Sequence, residues 1–409
     1  MRILHTSDWH IGRTLYGKKR YAEFEAFLDW MAQTLQEQSV DVLVVAGDIF
    51  DTTTPSHYAQ ELYYRFLCKV AASSCRHVII VAGNHDSPSL LNAPKELLKA
   101  LNVHVVGSGS ETPQDDVIVL RDAQNVPRLI VCAVPYLRDK DIRTVQAGES
   151  TEDKERLLID GIRAHYAAIA QHAEQQRSAL GSLLPVIATG HLFAAGGQTI
   201  DGDGVRDLYI GSLAHVHAGI FPPTFDYVAL GHLHVPQEVD GRQTIQYSGS
   251  PLPMGFGEAG QNKSVCLVDL DGRTARVSRL QVPVFQALER IQGDWDDIQR
   301  RVRALATFNA PVWLEVIYTG ESIMGDLRER LETEVAGTAL DILRVKNSRV
   351  VDRVLEQMHH RETLDDLSVD DVFARCLALH AIPADQQQEL LLAYRQTLLS
   401  LDNDDTRAQ

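Results

Sequence analysis

Five short polar motifs punctuate the first 234 residues, and each directly follows a short strand-like run: Asp8-Trp9-His10, Gly47-Asp48-Ile49-Phe50-Asp51, Gly83-Asn84-His85-Asp86, Gly190-His191 and Gly231-His232-Leu233-His234. This arrangement restricts the fold more than any other feature. In α/β sheets, ligands bind outside the carboxyl ends of the strands, so motifs at successive strand ends gather at one edge. The strand-like runs are residues 2–6, 42–46, 78–82, 129–134 and 185–189, with further runs at 227–230, 244–247, 265–270 and 275–280. Asp271-Gly272 joins the last two and suits a hairpin turn. Phe24, Phe27, Leu28, Met31 and Leu35 recur at helical spacing and predict one buried face, as do Leu62, Phe66, Leu67 and Val70. Alternating strands and helices make this region α/β. The polar stretch 107–116 reads as a solvated loop.

The pattern changes near residue 283. Apolar runs at 287–291, 312–318 and 340–345 alternate with helical stretches near 295–305 and 323–335, which is a small α+β unit. From Asn347 the chain reads as helical and highly charged. Ser368 and Asp371 form a capping box there, and a last helix carries Leu390, Leu391, Leu392, Tyr394, Leu398, Leu399 and Leu401. Three segments follow: 1–282, 283–346 and 347–409.

Composition sets limits on partners. Across 409 residues, 44% are hydrophobic and 23% charged, as expected of a folded globular chain. The net charge of −16 lacks the basic excess of many nucleic-acid binders, so any grip on phosphate must be local or come from a partner. Cys68, Cys75, Cys132, Cys266 and Cys376 show no metal-ligand spacing and read as buried, inert, reduced thiols. No run approaches the roughly 18 apolar residues of a membrane span. The first strand leads straight into a polar motif, unlike a secretory leader. The expected location is the cytoplasm.

Carboxylates, imidazoles and one amide oxygen are ligands for Mn²⁺, Fe²⁺ or Zn²⁺, and the absence of cysteine among them argues against a structural zinc. One Asp-x-His is weak evidence, because alternate residues at a strand end share a face anyway. Five such motifs in order point to paired catalytic metals. The remaining histidines, His5, His57, His77, His104, His165, His172, His215, His217, His359, His360 and His380, have no such context and are assigned to surface or core. His215-Val216-His217 lacks a preceding strand and reads as loop.

The order D-x-H, GDxxD, GNHD, GH, GHxH resembles the calcineurin-like metallophosphoesterase superfamily. Within it, RILHTSDWHIG, VVAGDIFD, VAGNHDS, ALGHLH and YSGSP resemble the SbcD family of bacterial nuclease subunits, over nearly the whole chain. The resemblance implies a four-layer β-sandwich flanked by helices, with a small capping domain and a helical tail. It also implies two divalent ions, manganese above all. One would lie on Asp8, His10, Asp48 and His234, the other on Asp48, Asn84, His191 and His232, bridged by Asp48. Two ions roughly 3.5–4 Å apart can clamp the attacking and leaving oxygens of an in-line displacement. His85 is then left to protonate the leaving oxygen or steady charge on the phosphorane.

Asp51 resembles the carboxylate that pairs with that histidine and fixes its tautomer. Equally, it can cap the next helix. Arg13, Lys18, Lys19 and Arg20 are candidates for phosphate contacts or a solvated helix start. Residues 247–251 resemble a substrate-side loop or, on composition alone, a tight turn. The family further implies DNA as substrate, with ATP-stimulated double-strand exonuclease and single-strand or hairpin endonuclease activity. It implies a nucleoid-associated homodimer within a heterotetramer, its C-terminal helices docked on the coiled-coil base of an SbcC-type ATPase. A phosphodiesterase for small nucleotides would not need the roughly 130 residues beyond the sheet domain. An inactive scaffold is disfavoured by the presence of every expected ligand.

Overall fold

The computed structural model describes residues 1–347 except 111, 143–149, 182, 194–216, 321–323 and 325, and beyond 347 only Phe373, Leu390 and Tyr394. The chain divides into two compact units, Met1–Leu288 and Glu289–Gln409. The first contains two six-stranded sheets.

The first sheet orders its strands Thr274–Gln281, Ser264–Asp271, Arg2–Thr6, Val42–Ala46, His77–Val81 and Val103–Val106. The last four run parallel, in registers such as Leu4 with Leu43 and Leu43 with Val78. The hairpin at Asp271-Gly272 adds the antiparallel pair. The second sheet orders Gln237–Val239, Arg242–Tyr247, Tyr227–Gly231, Val186–His191, Pro127–Cys132 and Val117–Arg121, its middle four parallel.

The central strands, such as Val42–Ala46 and His77–Val81, read as nearly unbroken apolar runs because both of their faces are covered. Along Val42–Ala46, Val42 and Val44 enter the core between the sheets with Ile79, Val131, Ile187 and Ala229. Leu43 and Val45 face the other way and pack with Phe24, Phe27, Met31, Phe66 and Leu67 of the helices Tyr21–Glu37 and His57–Ala71. The outer face of the second sheet is covered by Thr151–Leu180, through Ile162, Tyr166, Ile169 and Ala173. Helix, sheet, sheet, helix is the four-layer order expected.

Several expectations change. The stretch 107–116 is not a free solvated loop. Asp116 is buried, ends a short 3₁₀ turn and accepts a hydrogen bond from the Ser110 N–H at 2.9 Å. Burial pushes its carboxyl up to about 6. The edge strands Val103–Val106, Val117–Arg121 and Gln237–Val239 were not anticipated, because half-exposed edges carry a weak apolar signal. Of the cysteines, Cys75, Cys132 and Cys266 are buried free thiols, and burial pushes Cys75 up to about 12 and Cys266 up to about 11. Cys68 is exposed instead, and Cys376 lies outside the described residues. No helix among the described residues is long and apolar enough to cross a membrane.

The three-stranded sheet of the second unit consists of Ala287–Gly293, which begins at the division between the units, Val312–Tyr318 and Leu340–Asn347, with Val312–Tyr318 central and parallel to Leu340–Asn347. The helices Trp295–Ala306 and Leu327–Val335 supply the intervening turns and bury Ile298, Val302, Leu327 and Leu331. The capping box at Ser368 and nearly all of the tail lie outside the described residues. Within the tail, Phe373 stacks on Tyr394 with ring centroids 3.9 Å apart, so Tyr394 meets its own chain, while Leu390 is exposed.

Candidate metal centre

Each motif continues from the carboxyl end of a parallel strand, the first three from one sheet and the last two from the other. The first motif lies just past the end of the strand Arg2–Thr6, and its non-extended backbone sorts its side chains. Trp9 turns into the helical core, edge-on to Phe27 and Phe66, while Asp8 and His10 turn into the site. The first two loops are zipped together by hydrogen bonds from Asp8 N–H to Gly47 O, His10 N–H to Asp48 O and Ile11 N–H to Ile49 O. The motif glycines allow the close approach of the sheets. A Cβ on Gly231 would collide with Ala46 O, and one on Gly83 would collide with Asp48 Oδ1. Asp8, His10 and Asp48 take left-handed φ of 54°, 49° and 51°, and His232 takes 102°. Such backbone strain persists where surrounding structure holds it and gathers at functional sites.

Ligand atoms converge in three overlapping groups among the described residues: Asp8, His10 and His234; Asp8, Asp48 and His191; and His10, Asp51 and His85. The first two share Asp8, and Asp48 stands between their histidines. Asp48 Oδ2 lies 3.6 Å from His10 Nε2 and 3.3 Å from His191 Nε2. Asn84 Oδ1 lies 3.0 Å from His191 Nε2 and 3.2 Å from His232 Nδ1. All seven residues expected as ligands therefore face one pocket.

The ring nitrogens turned away from the pocket decide what it can hold. His191 Nδ1 meets Ala46 O at 2.9 Å and therefore donates, so in the neutral ring Nε2 is a lone pair aimed at two oxygens. His10 Nδ1 faces the Asp51 carboxylate at 3.4 Å and His234 Nδ1 faces Glu258 at 3.5 Å. With a proton on each Nδ1, the two Nε2 lone pairs oppose one another at 3.2 Å. Lone pairs aimed at lone pairs and carboxylates call for shared positive charge, which divalent cations supply. The electrostatics agree. Burial opposes charge on His191, yet Asp48 and Asp8 outweigh it and raise the ring to about 9. Burial likewise opposes ionisation of Asp48, and the surrounding histidines still hold it well below the carboxylate range. The donor set fits two divalent ions.

His85 sits edge-on to His10, with centroids 4.8 Å apart. Its Nδ1 donates to the backbone carbonyl of Asp51 at 2.8 Å, which corrects the expectation that the Asp51 carboxylate would hold it. That carboxylate instead faces His10 Nδ1 and accepts from Arg13 at 3.1 Å. A carboxylate on the residue leaving the strand turns toward the adjacent cation and imidazole, while its carbonyl is free for His85. Asp51 does not cap the next helix either, since Ser56 fills that place. Arg20 is also reassigned. It is buried and forked onto Glu23, so it has no free face for phosphate. Lys18 and Lys19 are exposed on a two-residue strand. Ser248 and Ser250 are fully buried, and Ser250 N–H donates to His234 O at 3.1 Å, so residues 247–251 brace the last motif from behind. Of the loop histidine pair, His215 lies outside the described residues and His217 is exposed.

Three supporting residues were not singled out beforehand. Asp86 accepts hydrogen bonds from Ile49, Phe50 and Gly83 N–H, tying the second motif to the third. Burial and the Asp48 charge push its carboxyl up to about 7 despite those donors. Its place in the third motif was the available signal. Glu258 and Lys263, buried behind His234, lie in a segment without motif character.

Residues 1–236 match the family described as calcineurin-like phosphoesterase, and residues 284–381 match the family described as type 5 capsule protein repressor C-terminal domain. The chain is 39% identical to the SbcD subunit of the nuclease SbcCD of Escherichia coli K12, covering 98% of each chain. It is 40% identical to that of Rhodobacter capsulatus over 67% of this chain and 68% of the relative. The protein of the same name from Bacillus subtilis is 36% identical over 66% of each. With these matches joined to the converging donor groups, the chain belongs to the calcineurin-like phosphoesterases, metal-dependent hydrolases of phosphate esters, and within them to the family of the SbcD subunit of the nuclease SbcCD.

Proposed function

We propose that this chain is a two-metal DNA phosphodiesterase, most active with manganese, that works with an SbcC-type ATPase. The observation that carries the reading is Asp48, whose carboxylate lies between the His10 group and the His191 group where two sheets meet. Asp8, His10, Asp48 and His234 would hold one ion, and Asp48, Asn84, His191 and His232 the other. When bound, such a pair makes water a nucleophile near neutral pH and neutralises charge gathering on phosphate oxygens.

The chain's own residues do the rest. Asp8 accepts the His232 N–H at 3.0 Å and thereby couples the first motif to the last. With Nδ1 committed to Asp51 O, His85 has Nε2 as its working atom. Protonated there, it delivers a proton to the departing sugar oxygen. Asp51 orients His10 and holds Arg13 at the rim.

The reading of DNA as substrate is supported by the relatives being nuclease subunits and by the second unit, which a phosphodiesterase for small nucleotides has no need of. The net charge of −16 is unsuited to an unaided grip on a polyanion, which favours a partner supplying much of the contact. The segment 347–409 is assigned to that docking, and a homodimeric nuclease core within a heterotetramer to the assembly. Processing of double-stranded ends and hairpins, stimulated by ATP, is the expected activity.

The test is cleavage of linear duplex, hairpin and single-stranded DNA with Mn²⁺ or Mg²⁺, with and without the ATPase and ATP, beside a chromogenic phosphodiester. Manganese-dependent cleavage of DNA, increased by the ATPase with ATP, is the expected result. Hydrolysis of the small diester with no cleavage of any DNA in the full complex would overturn the reading in favour of a small-nucleotide enzyme.

A further inference from the structure

The strand end that presents His232 and His234 is backed by a buried ion pair with no part in the mechanism above. Glu258, in the 3₁₀ turn Phe256–Glu258, is fully buried, and Lys263 is 5% exposed. One carboxylate oxygen, Oε2, is crowded. It accepts from Lys263 Nζ, from the Met254 N–H at 3.1 Å and from the Ser250 hydroxyl at 3.4 Å. Lys263 Nζ also donates to Ser250 Oγ at 3.0 Å and to the carbonyl of His234 itself at 3.3 Å. The other oxygen, Oε1, is buried with no hydrogen bond of its own, and it stands 3.5 Å from His234 Nδ1.

A buried ion pair is a poor means of stabilising a fold, since well-packed apolar residues of similar size often serve as well or better. Its retention here is better explained by what the spare oxygen faces. We propose that Glu258, anchored by Lys263, is a positioning residue that fixes the orientation and tautomer of His234 for a divalent cation held with Asp8 and His10. The inference rests on the two-metal reading and deepens it.

Two features make the arrangement specific. Lys263 grips both the carboxylate and the His234 carbonyl, so backbone and ring are held by one pair. The supports also differ between the two halves of the centre. His191 leans on a backbone carbonyl, that of Ala46, whereas His234 and His10 lean on carboxylates, Glu258 and Asp51. A carboxylate behind a ligating imidazole raises its basicity and holds its plane, and loss of such a partner typically weakens metal affinity about 10–100-fold. Only the ion held by Asp8, His10 and His234 should feel the loss of Glu258.

The test is calorimetric titration of the full chain, stripped by chelator, with Mn²⁺. Three proteins are compared: the unaltered chain, Glu258→Gln and the double variant Glu258→Gln with Lys263→Met. The double variant removes the buried lysine charge that the single one leaves unpaired, and so remains informative where the single one fails to fold. Melting without metal reports the fold separately. The expected result is one of two sites weakened about 10–100-fold and the other changed by less than about twofold. Two unaltered sites in a folded variant would overturn the proposal and leave the pair purely structural. Equal weakening of both sites would overturn it too, marking a general disturbance. If the unaltered chain itself binds no Mn²⁺, the two-metal reading is what fails.

Discussion

Replacing Asp48 by asparagine tests the shared ligand with little change of shape. The amide oxygen of the variant side chain can still accept the His85 N–H now received by Asp48 Oδ1 at 2.9 Å. What changes is the oxygen that lies 3.6 Å from His10 Nε2 and 3.3 Å from His191 Nε2, together with the charge. Even loss of an outer partner of a ligand typically costs about 10–100-fold in affinity, so loss of a shared ligand should cost at least that at each ion. A ligand at about 100 times its Kd stabilises by about 2.7 kcal/mol per site, hence about 5 kcal/mol for two independent sites. Weakened tenfold to a hundredfold, the same sites together give only about 1–3 kcal/mol. At roughly 2–4 °C per kcal/mol for a unit of this size, Mn²⁺ should raise the melting temperature of the unaltered chain by about 10–20 °C, and that of Asp48→Asn by a fraction of that. The assay is differential scanning calorimetry with and without Mn²⁺, beside metal content after dialysis and cleavage of DNA. An Asp48→Asn protein with two bound ions and the full manganese-dependent gain in melting temperature would refute the bridging role.

Changing His85 to Ala should leave both ions and DNA affinity in place while cleavage falls by about 10²–10⁴-fold, and a substrate with a better leaving group should recover part of the loss. Metal content of this variant decides whether His85 is a ligand. Asp116 offers a pH test away from the centre. Its folded pKa of about 6 exceeds the ordinary 3.8, so its ionisation opposes folding increasingly between those values and fully above them. The difference corresponds to at most about 3 kcal/mol, so Asp116→Asn should be about 1–3 kcal/mol more stable at pH 8 and nearly neutral at pH 4, read by urea unfolding at both. A chain ending at Ala384 should keep manganese-dependent hydrolysis of a chromogenic phosphodiester and lose co-purification with the ATPase. Unchanged binding would move the docking surface elsewhere. If that chain aggregates, Leu391→Glu and Leu398→Glu provide the same test singly.

What the sequence by itself determined was the set of parts. Short strand-like runs place Arg2–Thr6 and Val42–Ala46, and period-3.6 apolar patterns place both flanking helices, because those residues lie in a core covered on both faces of the sheet. The five motifs could be read as a metal centre because chemistry confines metal binding to a few side chains and each motif stands at a strand end, and the resemblance to a known family then picked the seven expected ligands among them. Tertiary structure alone decided how the parts are used. That His10 and His234 oppose one another at 3.2 Å depends on two sheets, some 224 residues apart in sequence, being pressed face to face with Gly231 against Ala46. No local pattern encodes that distance. Asp51 shows the same limit at short range. Its motif position was readable, but whether its carboxylate or its carbonyl would meet His85 depended on where Arg13 and His10 came to rest. Glu258 and Lys263 were invisible for a further reason: an acid and a base five residues apart look like ordinary surface until the fold closes over both, and burial then turns them into a support for His234.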